Sequence, residues 1–326
     1  MHSFLREGST NRKANTEAIK RERERLQRVL RRLRGVQLVS CGEFVVSARN
    51  VLIEATKSAR DGATRRDKDV QTKRDGSLVT EIDQQIESLL VTRFKRDFPN
   101  AAVLGEEGAI DTLGMSAEEV YGEFFSAPYQ ITIDPIDGTR NFISGHPQYC
   151  IAVGLSVRIK DGVWPIAGAI AIPEEGQMFW SDDYRVVVED LKTGQQSLFS
   201  GSSAAADSVS VNSRDRAWLA ANGIELRLPW VSSGSSVYDF LGTVVGRHRG
   251  SIIGSQRLWD LMAPLAIALR AGLVLRDLES GSVIGSISCQ DLSKDIVSRP
   301  WGLGRKMVLA GRGTNIAELV KRFTTV

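Results

Sequence analysis

The 326-residue chain is 42% hydrophobic and 25% charged, which provides for one large core or two abutting layers beneath an ordinary water-facing surface. No run approaches the roughly 18 apolar residues of a membrane span and no signal-peptide core opens the chain, so a cytoplasmic location is expected. Cys41, Cys150 and Cys289 are as scattered as His2, His146 and His248, which argues against a disulfide framework or a zinc site.

Residues 1–35 carry eleven Lys or Arg against four Glu, a local charge of +7, leaving −4 on the rest of a chain whose net charge is +3. A mildly acidic body with a basic leader suits a cation-binding enzyme with an added segment. Residues 1–12 read as disordered, and 15–34 as a charged helix with Ile19, Leu26, Val29, Leu30 and Leu33 at helical spacing. Its arginines could contact nucleic acid, anionic lipid or a protein partner, although such a face more commonly stays solvated. Residues 1–36 are therefore set apart as a basic extension, partly helical or disordered.

From Cys41 to Arg60, the residues Phe44, Val45, Ala48, Val51, Leu52, Ala55 and Ala59 recur on one helical face, with an end expected near Asp61-Gly62. Residues 62–72 are charged, poor in apolar side chains, and read as a mobile surface loop. Thr80 should cap a helix that buries Ile82, Ile86, Leu89, Leu90 and Phe94 and ends before Pro99, with Asp83 in its first turn. Ala101–Leu104 reads as a short strand entering Gly105-Glu106-Glu107-Gly108, where Asn or Asp beside glycine would make the more usual turn. A helix over 115–127 follows.

Ile131, Thr132 and Ile133 mark a buried strand that should stop at Asp134-Pro135-Ile136-Asp137-Gly138-Thr139. Pro135 and Gly138 preset that turn. Two aspartates three residues apart on a rigid turn cannot both stay ionised and close unless a cation or strong donors lie between them. The following residues, to Phe142, should start a short helix whose free amides could hold a phosphate.

Strands at 149–159, 163–172, 176–181 and 185–191, joined by short turns, imply an antiparallel sheet. Ser200–Asp207, rich in Gly, Ser and Ala, reads as a linker between an N-terminal α+β half, 37–200, and a C-terminal half, 201–326. In the second half, strands near 208–211, 228–232, 251–253 and 273–275 alternate with helices from Arg214, over 235–246, and through Met262, Leu265, Ala266 and Leu269. Such alternation predicts a layered α/β unit. Asp260 opens the last helix, where the macrodipole favours an anion. Singly, Asp83, Glu106, Asp134, Asp137 and Asp260 each have an ordinary explanation as caps or turn residues. Jointly they stand at strand ends and helix starts, where carboxylates can converge on one rim of a sheet.

The ordered set Asp75-Gly76-Ser77, Val79-Thr80, Asp83, Gly105-Glu106-Glu107, Asp134-Pro135-Ile136-Asp137-Gly138-Thr139, Asn141-Phe142, Trp259-Asp260 and Ala271-Gly272 resembles the inositol monophosphatase family of the magnesium-dependent, lithium-sensitive phosphatase superfamily. The resemblance covers about residues 40–326. It implies an α/β fold, the layered αβαβα sandwich of inositol monophosphatases and fructose-1,6-bisphosphatases, assembled as a homodimer. It further implies hydrolysis of a phosphate monoester with two or three Mg2+ ions, Mn2+ as a substitute, and Li+ or Ca2+ as inhibitors. One ion would be held by Glu106, Asp134 and the Ile136 carbonyl, and another by Asp134, Asp137 and Asp260. Asp83 and Thr139 would orient the attacking water, which Glu106 helps to bind, and the Gly138 and Thr139 amides would hold phosphate oxygens. No protein nucleophile is then required.

The same resemblance puts Lys73 in a stretch that closes over the site, and makes Ser233-Gly234-Ser235-Ser236 a substrate-side segment in which Ser235 and Ser236 could meet a sugar. Where inositol-specific members carry an acid that contacts the sugar ring, this chain has Ile253. The expected substrate is inositol monophosphate or another sugar or polyol phosphate. Histidinol phosphate, fructose 1,6-bisphosphate and 3′-phosphoadenosine 5′-phosphate are alternatives, and a scaffold that binds partners through its basic leader is the alternative of another class.

Overall fold

The computed structural model describes residues 40–65, 68–73, 76–108, 116–160, 162–199, 206–295, 301–311 and 314–322; the basic leader, with the helix expected over 15–34, and residues 200–205 of the expected linker lie outside them. Helix α1 (Cys41–Ala63) begins at a Ser40 cap reciprocated by Glu43, and α2 (Glu81–Asp97) at a Thr80 cap reciprocated by Asp83. Between them, β1 (Gln71–Thr72), at the end of the stretch 62–72 expected to be a loop, pairs antiparallel with β2 (Leu78–Val79). The Lys73 amide donates to Ser77 O at 2.8 Å and closes this hairpin. Two-residue strands have no period to read, which is why charge alone suggested a loop.

The principal sheet holds β3 (Ala101–Gly105), β4 (Tyr129–Asp137), β5 (Cys150–Ile159), β6 (Gly162–Ile172), β7 (Gln177–Ser181), β8 (Val186–Asp190) and β9 (Gln196–Leu198), neighbours in chain order. The parallel pair β3–β4 is connected through α3 (Ala117–Ser126), and the later pairs are antiparallel as predicted. Short α4 (Thr139–Ser144) follows β4. Alternation along β5 sends Ile151, Val153 and Leu155 into the core beneath α1 and α2, and Cys150 and Ala152 into the core on the opposite face.

A second sheet runs Trp230–Val231 (β12), Val209–Ser210 (β10), Gly250–Ile253 (β13), Met307–Ala310 (β15) and Val274–Asp277 (β14), while Ile224–Leu226 (β11) pairs apart with Val320–Arg322 (β16). Helices α6 (Ser236–Val244) and α7 (Leu258–Ala271) fill the space between the two sheets. Helices α5 (Ser213–Ala221) and α8 (Ile316–Leu319) supply Leu219 and Leu319 to the outer core. The order is therefore αβαβα, the expected sandwich.

Helix α7 comes very close to the principal sheet. A Cβ on Gly154 would fall 2.7 Å from Ala263 N, and one on Gly168 2.5 Å from Ala263 O. These glycines are cross-strand partners on β5 and β6, so together they open a slot for the helix. That slot carries Asp260, in the first turn of α7, down to the end of β4.

Candidate active site

Strand β4 does not stop at Asp134 but runs through a bulge to Asp137. Asp134 faces Ala152 and Asp137 faces Cys150, so three steps on β4 match two on β5. Residues three apart on a regular strand point to opposite faces, and the surplus residue resets that alternation. Both carboxylates thereby reach Asp260: one oxygen from each of the three acids lies within 4.8 Å of the others.

Glu106 arrives from the adjacent parallel strand. Its amide donates to Ile133 O at 3.2 Å, extending β3 by one step and setting Glu106 at the same sheet end as Asp134. Glu87 holds this turn, accepting from the Glu107 and Gly108 amides at 2.7 Å each. Gly105 makes the room, since a Cβ there would stand 2.4 Å from Glu87 Cδ. Nothing in the sequence singles out Glu87 except its place one turn after Asp83 on α2.

Asp83 divides its two oxygens between two tasks. Oδ2 accepts from the Thr80 amide at 2.9 Å and from the Thr80 hydroxyl, while Oδ1 accepts from the Thr139 hydroxyl at 3.3 Å. The Thr139 hydroxyl also lies 3.1 Å from Ile136 O. Asp83 is thus a helix cap and a partner of Thr139 at once. Thr139 opens α4 after Gly138, where a φ of +91° and a would-be Cβ 3.0 Å from Ser235 Cβ reserve the position for glycine.

Asp137 is anchored by the start of α6. Ser235 donates its hydroxyl, and Val237 its amide at 2.8 Å, to Oδ2, while the Ser236 amide donates to Oδ1 at 3.2 Å. Ser235 is buried, so it lies beneath Asp137 instead of facing a sugar; its position as cap of α6 turns it inward. The Lys73 side chain, 7% exposed, places Nζ 2.8 Å from Glu106 Oε1 and 2.7 Å from Glu107 Oε1. Ile253 belongs to the core between the sheets.

Burial and mutual repulsion govern the protonation of these acids. Burial, then the charges of Glu106, Asp137 and Asp260, holds Asp134 well above the usual carboxylate range. Burial and Asp260 push Asp137 up to about 8, and burial and Glu106 push Asp260 up to about 6. Asp83 is raised to about 6 by burial, against the opposing pull of the Thr80 donors. Burial and Glu106 also raise Glu107 to about 8, although Lys73 opposes them. At an effective dielectric near 20, two charges separated as these are repel by roughly 3 to 4 kcal/mol. Asp134 Oδ1 is buried without a hydrogen-bond partner among the described residues. A donor set made wholly of oxygen, with a bare carboxylate oxygen at its centre, fits a hard divalent cation such as Mg2+ or Mn2+.

Beside the acids lies a cleft of about 490 Å³, lined by Glu106, Gly138 and Thr139 together with Arg140, Arg214 and Arg257.

A sequence profile of the inositol monophosphatase family matches residues 41–319. The Nus factor SuhB of Vibrio cholerae is 24% identical over 222 residues, which cover 64% of this chain and 77% of that protein. An inositol monophosphatase of Mesembryanthemum crystallinum is 34% identical over 102 residues, 31% of this chain and 33% of its own length. Among solved structures, an IMPase of Thermotoga maritima matches with a TM-score of 0.56 at 18% identity, over 82% of this chain and 94% of its own, a likeness of fold. Because the profile reaches from the first residue of α1 to the last of α8, the chain belongs to the inositol monophosphatase family.

Proposed function

We propose that this protein is a Mg2+-dependent phosphatase that hydrolyses a small phosphate monoester with water as the nucleophile. The observation that carries the reading is the unpartnered, buried Oδ1 of Asp134, set among Asp137, Asp260 and Glu106 and close to the Asp83–Thr139 pair. Glu106, Asp134, Asp137, Asp260 and the Ile136 carbonyl would hold divalent ions, which supply an acidified water and neutralise the phosphate dianion.

The chain's own groups do the rest. The Thr139 hydroxyl donates to Asp83 Oδ1 and so keeps its oxygen free to accept from the attacking water. As that water bonds to phosphorus, its proton passes to Thr139 Oγ1 while the threonine proton moves to Asp83; the bond from phosphorus to the ester oxygen breaks, and the alkoxide that leaves takes a proton from solvent water. A carboxyl group raised to about 6 accepts a proton near neutral pH more readily than an ordinary aspartate does. The Gly138 and Thr139 amides hold phosphate oxygens, and Lys73 adds positive charge beside Glu106.

The test is release of phosphate from myo-inositol monophosphate, histidinol phosphate, fructose 1,6-bisphosphate and 3′-phosphoadenosine 5′-phosphate, with and without Mg2+ or Mn2+. Metal-dependent turnover of one of them is expected, and its absence across the whole panel would contradict the proposal.

A second reading draws on the relative named as a Nus factor and on the +7 leader, and makes the protein a partner-binding scaffold. Removing residues 1–35 separates the two. A phosphatase keeps its turnover, whereas a scaffold loses its partner and has little turnover to keep.

A further inference from the structure

We infer that Arg140, Arg214 and Arg257 form a second anion subsite in the cleft, and that the substrate is a phosphate ester bearing another phosphate or carboxylate group. The inference rests on the phosphatase reading above and narrows its substrate class.

The first support is where the arginines stand. Arg140 is the second residue of α4, Arg214 is the second residue of α5, and Arg257 is the cap residue of α7. A helix start is the positive end of the macrodipole, where a cation opposes helix stability and an acid favours it. Helix formation therefore gives no reason for arginine at any of these places, yet separate helices deliver all of them to one cleft.

The second support is what they touch. Arg185, Arg247 and Arg305 are each paired with an acid. Arg140 and Arg214 are exposed and, among the described residues, form no hydrogen bond or ion pair. Arg257 is shared: it stacks over Trp259 at 5.7 Å and its charge acts on Asp260. Glu106, the acid among the cleft's lining residues, has a cation of its own, because Lys73 bonds to it and to Glu107. The positive charge of Arg140 and Arg214 is left for a ligand.

The third support is shape. A volume of about 490 Å³ exceeds what one phosphate group needs and admits a sugar-sized skeleton with a charged group at each end. Planar guanidinium forks match phosphate and carboxylate oxygens and have little to gain from a neutral polyol.

The experiment compares substrates that share a skeleton: fructose 1,6-bisphosphate with fructose 1-phosphate, and 2-phosphoglycerate with glycerol 2-phosphate, at saturating Mg2+ and low salt. We expect the doubly charged member of at least one pair to lead in kcat/KM on the order of tenfold or more, mainly through KM, with the lead shrinking as salt is added. A lead in the fructose pair assigns a phosphate subsite, and one in the glycerate pair a carboxylate subsite. Arg214→Ala and Arg140→Ala should each shrink the lead. Equal kcat/KM within both pairs, or a lead that Arg214→Ala does not alter, overturns the subsite. If no compound is hydrolysed, the phosphatase reading fails separately, and calorimetry decides the subsite: fructose 1,6-bisphosphate must bind more tightly than fructose 1-phosphate and lose that margin in Arg214→Ala, and equal affinities refute it.

Discussion

The Thr139 hydroxyl, 3.3 Å from Asp83 Oδ1 and 3.1 Å from Ile136 O, joins the first turn of α2 to the bulge of β4. Removing that hydroxyl in Thr139→Ala, or the proton acceptor in Asp83→Asn, should lower kcat by about 10²- to 10⁴-fold, the usual weight of a proton-transfer group. Asparagine still accepts from Thr80 and carries no charge to bury, so the melting temperature of Asp83→Asn should not fall. Steady-state kinetics beside thermal melts make the check, and turnover close to wild type would remove Thr139 and Asp83 from the mechanism.

Asp134→Asn removes an acid that burial and its neighbours' charges keep protonated in the folded chain, and with it the cost of taking up that proton on folding. The variant should lose turnover and bind divalent ions weakly, yet melt higher than the parent in the presence of a chelator. A gain of about 1 to 2 kcal/mol corresponds to roughly 1.5 to 3.5 °C in a chain of 326 residues. Scanning calorimetry in EDTA decides the matter, and a lower melting temperature would mean that hydrogen bonds to Asp134, not repulsion, dominate there.

Stability should depend on pH in an unusual direction. Asp83 and Asp260 are held at about 6 and Asp137 at about 8, against an ordinary 3.8, so between these limits the folded chain keeps protons that the unfolded chain has released. The contribution of these acids is fully present below pH 3.8 and is lost as pH rises through 6 and then 8. Ion binding displaces the same protons, so Mg2+ should raise the melting temperature more at pH 8 than at pH 5.5. At a hundredfold excess over Kd the gain is about 2.7 kcal/mol. Equal Mg2+ increments at the two pH values would show that the acids titrate normally.

Glu87→Ala leaves the Glu107 and Gly108 amides without their acceptor and should destabilise the fold by roughly 1 to 3 kcal/mol while loosening Glu106. Gly105→Ala forces the same carboxylate aside and should be damaging for the same reason. The double variant should then be little worse than Glu87→Ala alone, a non-additivity that denaturant melts can measure. Simple addition of the two losses would show that the residues act independently.

Elements long enough to show a period were legible in the sequence. The stripe from Phe44 to Ala59 and the alternation along β5 and β6 needed no other information, and the spaced acids with their glycines marked the family and the rim of the sheet. What escaped were features set by contact instead of pattern. The β1–β2 hairpin is too short to alternate, Lys73 gains its burial only when Glu106 and Glu107 meet it, and Ser235 is turned inward by Asp137 from another part of the chain. Asp134 to Asp137 looked like a turn because proline and glycine mark turns, whereas a bulge lets the strand continue through them.

The surplus residue of β4 also decides how the site can be lost. Ile136 O stands outside the β4–β5 ladder and faces Thr139, and because this oxygen belongs to the main chain, an exchange of the Ile136 side chain does not delete it. Asp134, Asp137, Glu106 and Asp260 can each vanish by point mutation, while the carbonyl disappears only if the number of residues between Asp134 and Asp137 changes. A descendant stripped of its acids would still carry the bulge, and with it the outline of where those acids once met.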